Sequence, residues 1–339
     1  MIPDNFIDHY FTTMNAVEDP TQQPTEMLEL IQSIQGDEDA HETMNAISAR
    51  LPESTSALGA AWHAVLLGAS VEGGRDPLKT VKPVVETLLK WNRSLPDEPE
   101  DENELIEIDA STSEAIGMLG QATVAHLSRI SNFEEVIDVP AARAELERTE
   151  YLANGPMWVM QVFRQQSGSL VVLHATQAFG AEVAFEHLAN NFHLFTLLQG
   201  ALAEVGAPGA KKPKARVIEA AKNGCKAGDA VRDEAWWHYS QHDGQPDQIE
   251  PSLAGMVFGE GELTEIGTVD GQPVLLLWPP VLKSRGWGGG FFGPLLEARP
   301  PNLQVTRVFD GAEVMRWRSK LGLGEPEPPD AGKSRWKFW

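Results

Sequence analysis

Cysteine is almost missing from this 339-residue chain, which contains only Cys225. One cysteine cannot form an internal disulfide, and disulfides are typical of oxidising compartments. Long apolar runs are also missing, since none approaches the roughly 20 residues with which a helix crosses a bilayer. The N-terminal sequence MIPDNFIDHY lacks the basic and apolar regions of a signal peptide. These absences predict a cytoplasmic protein without a membrane partner.

Basic residues are scarce in the first half of the chain. Residues 1–150 hold 29 Asp and Glu against 9 Lys and Arg, a balance of −20 within a total net charge of −22. Nucleic acids are bound mainly through cations that neutralise phosphates, so we expect no nucleic-acid partner. A protein partner with a basic surface is expected instead, although the same acids also fit a purely solubilising role.

The second half contains one cluster of cations, but it lacks the interleaved aromatic residues on which nucleic-acid bases stack. Its members are Lys211, Lys212, Lys214, Arg216, Lys222 and Lys226. This cluster therefore leaves the expectation about nucleic acid unchanged.

The periodicity of apolar residues changes near residue 165. Before it, segments such as STSALGAAWHAVLLGAS follow the spacing of one helical face; after it, SLVVLHA, FGAEVAFEHL, GQPVLLLWPP and NLQVTRVF indicate strands. We predict an α+β fold in which an acidic all-helical domain (residues 1–155) precedes a mixed β-sheet domain with short helices (156–323). The Pro-rich segment 324–339 is predicted to be a disordered tail with a basic, aromatic end.

Several short signals predict helix ends. Ser54 or Thr55 is expected to cap the first Gly/Ala-rich helix, and Ser131 with Glu134 fits a capping box. Asn154-Gly155 is expected to end a helix that starts near Pro140. The segment D310-GAEVMRWRSKLG predicts a closing helix capped by Asp310.

The segment S284-RGWGGGFFG-P294 contains five glycines and three large aromatic residues. It lacks the Lys-Ser/Thr pair and the following helix of a phosphate-binding P-loop. We interpret it as a corner whose glycines adopt unusual backbone angles. Lys283, Arg285 and Trp287 are candidate binding residues at this corner, where the two cations suit an anionic partner.

The segment WWHYSQHD places His238 and His242 four residues apart, with Asp243 adjacent. On a helix this spacing brings both imidazoles to one face, where they can bind a metal ion. The glutamate of an HExxH motif is missing, and two histidines among aromatics also fit a packed core. His238, His242 and Asp243 are therefore weak candidate ligands, and we assign neither a metal nor a cofactor.

The last residues, KSRWKFW, combine cations with aromatic side chains. Trp336, Phe338 and Trp339 are candidate binding residues, because a tail has no core in which to bury them. A disordered end without a role is the alternative.

Four segments of the second half occur in a characteristic combination: NNFHLFTLL, GEGELTEIGTVDGQPVLLLWPP, the RGW turn and GAEVMRW. In this combination, residues 165–323 resemble a family of uncharacterised bacterial proteins. The resemblance carries no catalytic residues across.

Two functions remain open. The first is a non-enzymatic protein-interaction component in a bacterial cytoplasm: a scaffold, an adaptor or a neutralising partner of a basic protein. The second is an enzyme with an unfamiliar active site in the α+β domain, using Lys283, Arg285, His238 or His242. The sequence favours the first, because it shows a strongly acidic helical half and no complete catalytic motif.

Overall fold

A computed structural model of the protein describes residues 4–19, 23–34, 36–96, 108–224, 230–234, 237–241, 256–280, 284–288 and 293–327. The chain divides into two compact units, Met1–Phe163 with Leu296–Arg299, and Arg164–Leu295 with Pro300–Trp339. The predicted α+β class, with helices first and a mixed sheet second, is confirmed. Within the described ranges, every helix is too short or too polar to cross a lipid bilayer.

The first unit is helical. Its described α-helices are α1 (Asp4–Met14), α2 (Thr25–Ser33), α3 (Asp37–Arg50), α4 (Ala57–Glu72), α5 (Val81–Asn92), α6 (Ala110–Leu127), α7 (Val139–Glu147) and α8 (Asn154–Phe163). One continuous cluster of buried side chains joins them, including Leu30, Leu67 and Leu88. The boundary predicted at residue 155 falls inside α8, whose buried residues belong to this same cluster.

Small residues let the central helices approach closely. At Gly68 of α4, an added Cβ would lie 3.3 Å from the Cα of Ala122 in α6. At Gly155 of α8, an added Cβ would overlap the backbone carbonyl of Ile116 in α6. The small side chains of these helices therefore permit the close contacts between them.

Two of the predicted helix ends are wrong. The cap of α4 is Ser56, which accepts a hydrogen bond from the Gly59 backbone N–H, because the helix starts later than Ser54 or Thr55 require. Asn154-Gly155 begins α8 instead of ending α7, since the glycine is needed where α8 meets α6.

The capping box predicted at Ser131 is also wrong. Residues Phe133–Glu135 form only a single 3-10 turn. The carboxylate of Glu134 accepts from Arg299 at 2.7 Å, and that guanidinium lies over the Phe133 ring. The Glu134 carboxylate is thus bound by Arg299, which is distant in sequence, and does not cap the turn.

The second unit contains a mixed sheet, a separate two-stranded sheet and three α-helices in its described ranges. The strands are β1 (Gln166–His174), β2 (Gly180–Leu188), β3 (Ala230–Glu234), β4 (His238–Gln241), β5 (Thr268–Val269), β6 (Gln272–Trp278), β7 (Ser284–Gly288) and β8 (Asn302–Val308). The helices are α9 (Asn191–Glu204), α10 (Ala215–Asn223) and α11 (Gly311–Lys320).

The main sheet has the order β4-β6-β1-β2-β8, with β5 paired to β6. β1 and β6 are parallel, and the other pairs are antiparallel. Successive residues of a strand point to opposite faces. Accordingly, Leu170 and Leu275 pack with α9 and α10 on one face, whereas Val171 and Leu276 pack with α11 on the other. The strand predicted at GQPVLLLWPP is confirmed, and the structure shows that it is buried on both faces.

The closing helix α11 is also as predicted. Asp310 accepts a hydrogen bond from the Glu313 backbone N–H at 2.8 Å, and Val314 and Leu321 are buried. The Glu313 side chain pairs with Arg307 and Arg316. The corner predicted at residues 284–294 is wrong in its first part, because Ser284–Gly288 pairs as an antiparallel strand with β3.

Candidate functional site

His238 lies on a strand, and the helical spacing that would pair it with His242 does not occur there. His238 is buried in β4, directly opposite Trp278 of β6. His242 and Asp243 lie outside the described residues. Within the described part of the chain, no three His, Cys, Asp or Glu side chains are grouped closely enough to hold a metal ion.

The other candidate binding residues fall largely outside the described part of the structure. The backbone of Arg285 and Trp287 belongs to β7, opposite Asp233 and Val231 of β3, but their side chains are not described. Lys283 and the tail residues Trp336, Phe338 and Trp339 lie outside the described ranges. They remain predictions.

Buried histidines in both units have structural roles. In α9, His193 Nε2 bonds the Ala221 carbonyl of α10 at 2.7 Å, and burial lowers the pKa of this histidine to about 4. In α6, His126 contacts the Ala122 carbonyl of its own helix through Nδ1 and the Thr80 hydroxyl, just before α5, through Nε2 at 2.9 Å, and burial again lowers its pKa. Both imidazoles are therefore neutral at pH 7 and serve to join elements.

The helical unit exposes most of its acidic side chains to solvent. Those in the exposed class are Asp8, Glu18, Asp19, Glu29, Glu38, Glu42, Glu53, Glu72, Asp76, Glu86, Asp109, Glu114, Glu134, Glu135, Asp138, Glu147 and Glu297. They occur on most of the helices and on the turns between them. We call this set the acidic surface.

The cations of the same unit are largely engaged. Arg50 pairs with Asp8 at 2.6 Å, and Arg148 pairs with Glu145 at 3.3 Å while also donating to backbone carbonyls. Lys90 donates to the carbonyls of Pro52 and Ser54. Because these cations are few and already bonded, they leave most of the acidic surface uncompensated.

Helix α2 adds an apolar element to the acidic surface. Leu28 and Ile31, one turn apart, are each 41% exposed, whereas the neighbouring Met27 and Leu30 are buried in the core. Glu29 is exposed beside them. We call Leu28, Glu29 and Ile31 the α2 face.

Sequence reasoning found the acidic surface from composition but missed the α2 face. The apolar residues of TEMLELIQS cover one broad face of the helix, so the pattern does not tell which of its leucines is buried. That choice depends on where α2 meets the core, which is a tertiary property.

Compared with protein families, with curated proteins and with solved structures, the chain shows no significant match. The resemblance of residues 165–323 to a bacterial family therefore stays a prediction.

Proposed function

We propose that the protein is a non-enzymatic interaction component of a bacterial cytoplasm. Its helical unit would bind a basic, amphipathic segment of another protein and act as a scaffold, an adaptor or a neutralising partner. The observation that carries this proposal is the acidic surface, whose neighbouring cations are already engaged.

Charge supports the proposal in a specific way. Uncompensated carboxylates raise the local concentration of a basic partner and accelerate its association. Individual exposed ion pairs contribute only about 0–1 kcal/mol, so charge alone does not define a docking site. A defined docking site also needs contacts, such as apolar packing, that depend on the position and orientation of the partner.

The α2 face supplies such a contribution. Leu28 and Ile31 offer exposed apolar area in helical spacing, with the carboxylate of Glu29 beside them. A helix or strand that carries Lys or Arg next to apolar residues complements this arrangement. The proposed occupant is therefore a basic segment with an apolar stripe, and a uniformly basic surface would bind less well.

The test uses the full chain and three synthetic peptides of equal length. The first combines Lys and Leu in amphipathic spacing, the second replaces Lys with Glu, and the third replaces Leu with Ser. At about 50 mM NaCl, fluorescence anisotropy should show the tightest binding for the Lys/Leu peptide, weaker binding for the Lys/Ser peptide and none for the Glu/Leu peptide. Raising NaCl to about 500 mM should weaken the Lys/Leu complex roughly tenfold or more through screening.

Variants locate the binding site. The double substitution Leu28→Ser with Ile31→Ser should weaken the Lys/Leu peptide roughly tenfold, because it removes the apolar contact area. Tyr151→Ser is the matched control, since Tyr151 is 77% exposed on the same unit and lies outside α2. Equal binding of the Lys/Leu and Glu/Leu peptides, or equal loss in both variants, would overturn the proposal.

A further inference from the structure

The sheet unit contains a cavity of about 290 Å³ beyond the carboxyl ends of two neighbouring parallel strands. Ala175 and Thr176, which follow β1, line it together with Trp278 at the end of β6. Arg318 of α11 and the segment from Gly322 to Glu325 complete most of the wall. The carboxyl ends of parallel strands are a frequent location of ligand sites, and this volume suits a small molecule.

Arg318 joins the two loops that line the cavity. Its Nη1 donates to the carbonyls of His174 and Ala175 at 3.0 Å each. Its Nε and Nη2 both donate to the carbonyl of Gly324, at 2.9 and 2.7 Å. The guanidinium is thus held in one position between the β1 end and the segment after α11.

The charge of this arginine has no carboxylate partner among the described residues. Arg318 is only 2% exposed, and its acceptors are neutral carbonyl oxygens. Nη1 also donates to the Gln177 carbonyl at 3.4 Å. The two N–H groups of Nη1, the single one of Nε and one of Nη2 account for all these bonds, so the second Nη2 N–H has no described acceptor. Burying a cation without an opposite charge costs several kcal/mol, which is unusual for a side chain that serves packing alone.

We propose that this cavity binds a small organic acid. The carboxylate of this ligand accepts a hydrogen bond from the remaining Nη2 N–H of Arg318 and neutralises the charge of the guanidinium. The indole of Trp278, itself held by a 2.8 Å bond from Nε1 to Ser240, provides an apolar wall for the rest of the ligand. The inference concerns the sheet unit and is independent of the function proposed for the helical unit.

Two carboxylates at the rim of the cavity allow the sign of the ligand's charge to be tested. Glu325 and Glu327 line the cavity but are exposed, so water screens their charge. If the ligand is an anion, these carboxylates oppose binding. If it is a cation, they promote it.

The test is isothermal titration of the full chain with benzoate, acetate, inorganic phosphate and benzylammonium at about 50 mM NaCl. Benzoate should bind saturably with one site, and more tightly than acetate or phosphate. The double variant Glu325→Gln with Glu327→Gln should lower the Kd of benzoate roughly threefold, since it removes repulsion at low ionic strength. This variant leaves the Arg318 clamp intact, so its result does not depend on the clamp's contribution to folding.

Arg318→Gln should raise the Kd of benzoate roughly tenfold or more, because it removes a charge-assisted hydrogen bond. Arg316→Gln, an exposed position on the same helix, is the matched control and should leave the Kd within about twofold. Three results would overturn the proposal: no saturable benzoate binding, tighter binding of phosphate than of benzoate, or weaker benzoate binding in the double Glu→Gln variant.

Discussion

His63 is a buried titratable residue in the centre of α4. It is fully buried, and its ring lies 4.2 Å from that of Phe11 and 5.2 Å from that of Tyr10, centroid to centroid. Neither ring nitrogen has a hydrogen-bond partner among the described residues. Burial, aided by the charge of Arg50, lowers the pKa of His63 to about 3. The folded state therefore requires the neutral imidazole.

We predict that this histidine makes the protein less stable in weak acid. The folded pKa of about 3 lies below the ordinary 6.5, so the unfolded state takes up the proton first and stability falls as the pH drops below 6.5. Between pH 8 and pH 5 the loss due to His63 is about 2 kcal/mol. His63→Met, which keeps the volume and favourable contacts with aromatic rings, should remove that part of the pH dependence in urea denaturation.

His9→Met is the control, because it removes an exposed imidazole and leaves His63 in place, so the loss of stability assigned to His63 should persist in it. An unchanged pH dependence in His63→Met would show that the site is hydrated or that the imidazole has a bonding partner. Other buried histidines, such as His193, also destabilise the folded state as the pH falls. The total loss of stability in the wild-type protein therefore exceeds the part due to His63.

At the scale of elements, the crossing of α6 and α8 depends on two glycines. An added Cβ at Gly120 would overlap the backbone of Gly155, and one at Gly155 would overlap the Ile116 carbonyl. Backbone atoms cannot move aside as the end of a flexible side chain can. Gly117, one turn earlier in α6, meets nothing within 4 Å.

Gly155→Ala is therefore predicted to destabilise the protein by roughly 3 kcal/mol, since the two helices must separate. Gly117→Ala should stabilise it by roughly 0.5–1 kcal/mol, because alanine favours the helix and fits the open space. Urea denaturation followed by far-UV circular dichroism measures both. Equal effects of the two substitutions would contradict the close crossing.

The same crossing shows what local sequence can predict. The helix α11 and the strand β6 follow from an N-cap and a continuous apolar run, because both signals lie within the element itself. Asn154-Gly155 is also a common helix end, and only the contact with α6 makes Gly155 the start of a helix. Arg318 could not be selected from MRWRSK, since its carbonyl acceptors at His174 and Ala175 lie 144 and 143 residues away.

The whole molecule carries a net charge of −22, concentrated in residues 1–150. Like charges on one surface repel and destabilise the compact state, whereas paired charges stabilise it slightly. On α3, the exposed Glu38 and Glu42 are four residues apart and carry the same charge. Asp8, in contrast, holds Arg50 at 2.6 Å.

Whether a charge reversal stabilises or destabilises the protein should therefore depend on the residue that lies beside it. Glu42→Lys creates a favourable pair with Glu38 and lowers the excess charge, so it should stabilise the protein by roughly 0.5 kcal/mol at about 20 mM NaCl. Asp8→Lys lowers the excess charge equally but places a cation against Arg50, and it should be destabilising. Both effects should shrink at about 500 mM NaCl, where the Debye length falls to a few ångströms. If Asp8→Lys stabilises as much as Glu42→Lys, total charge governs the stability of the acidic surface and the individual ion pairs contribute nothing measurable.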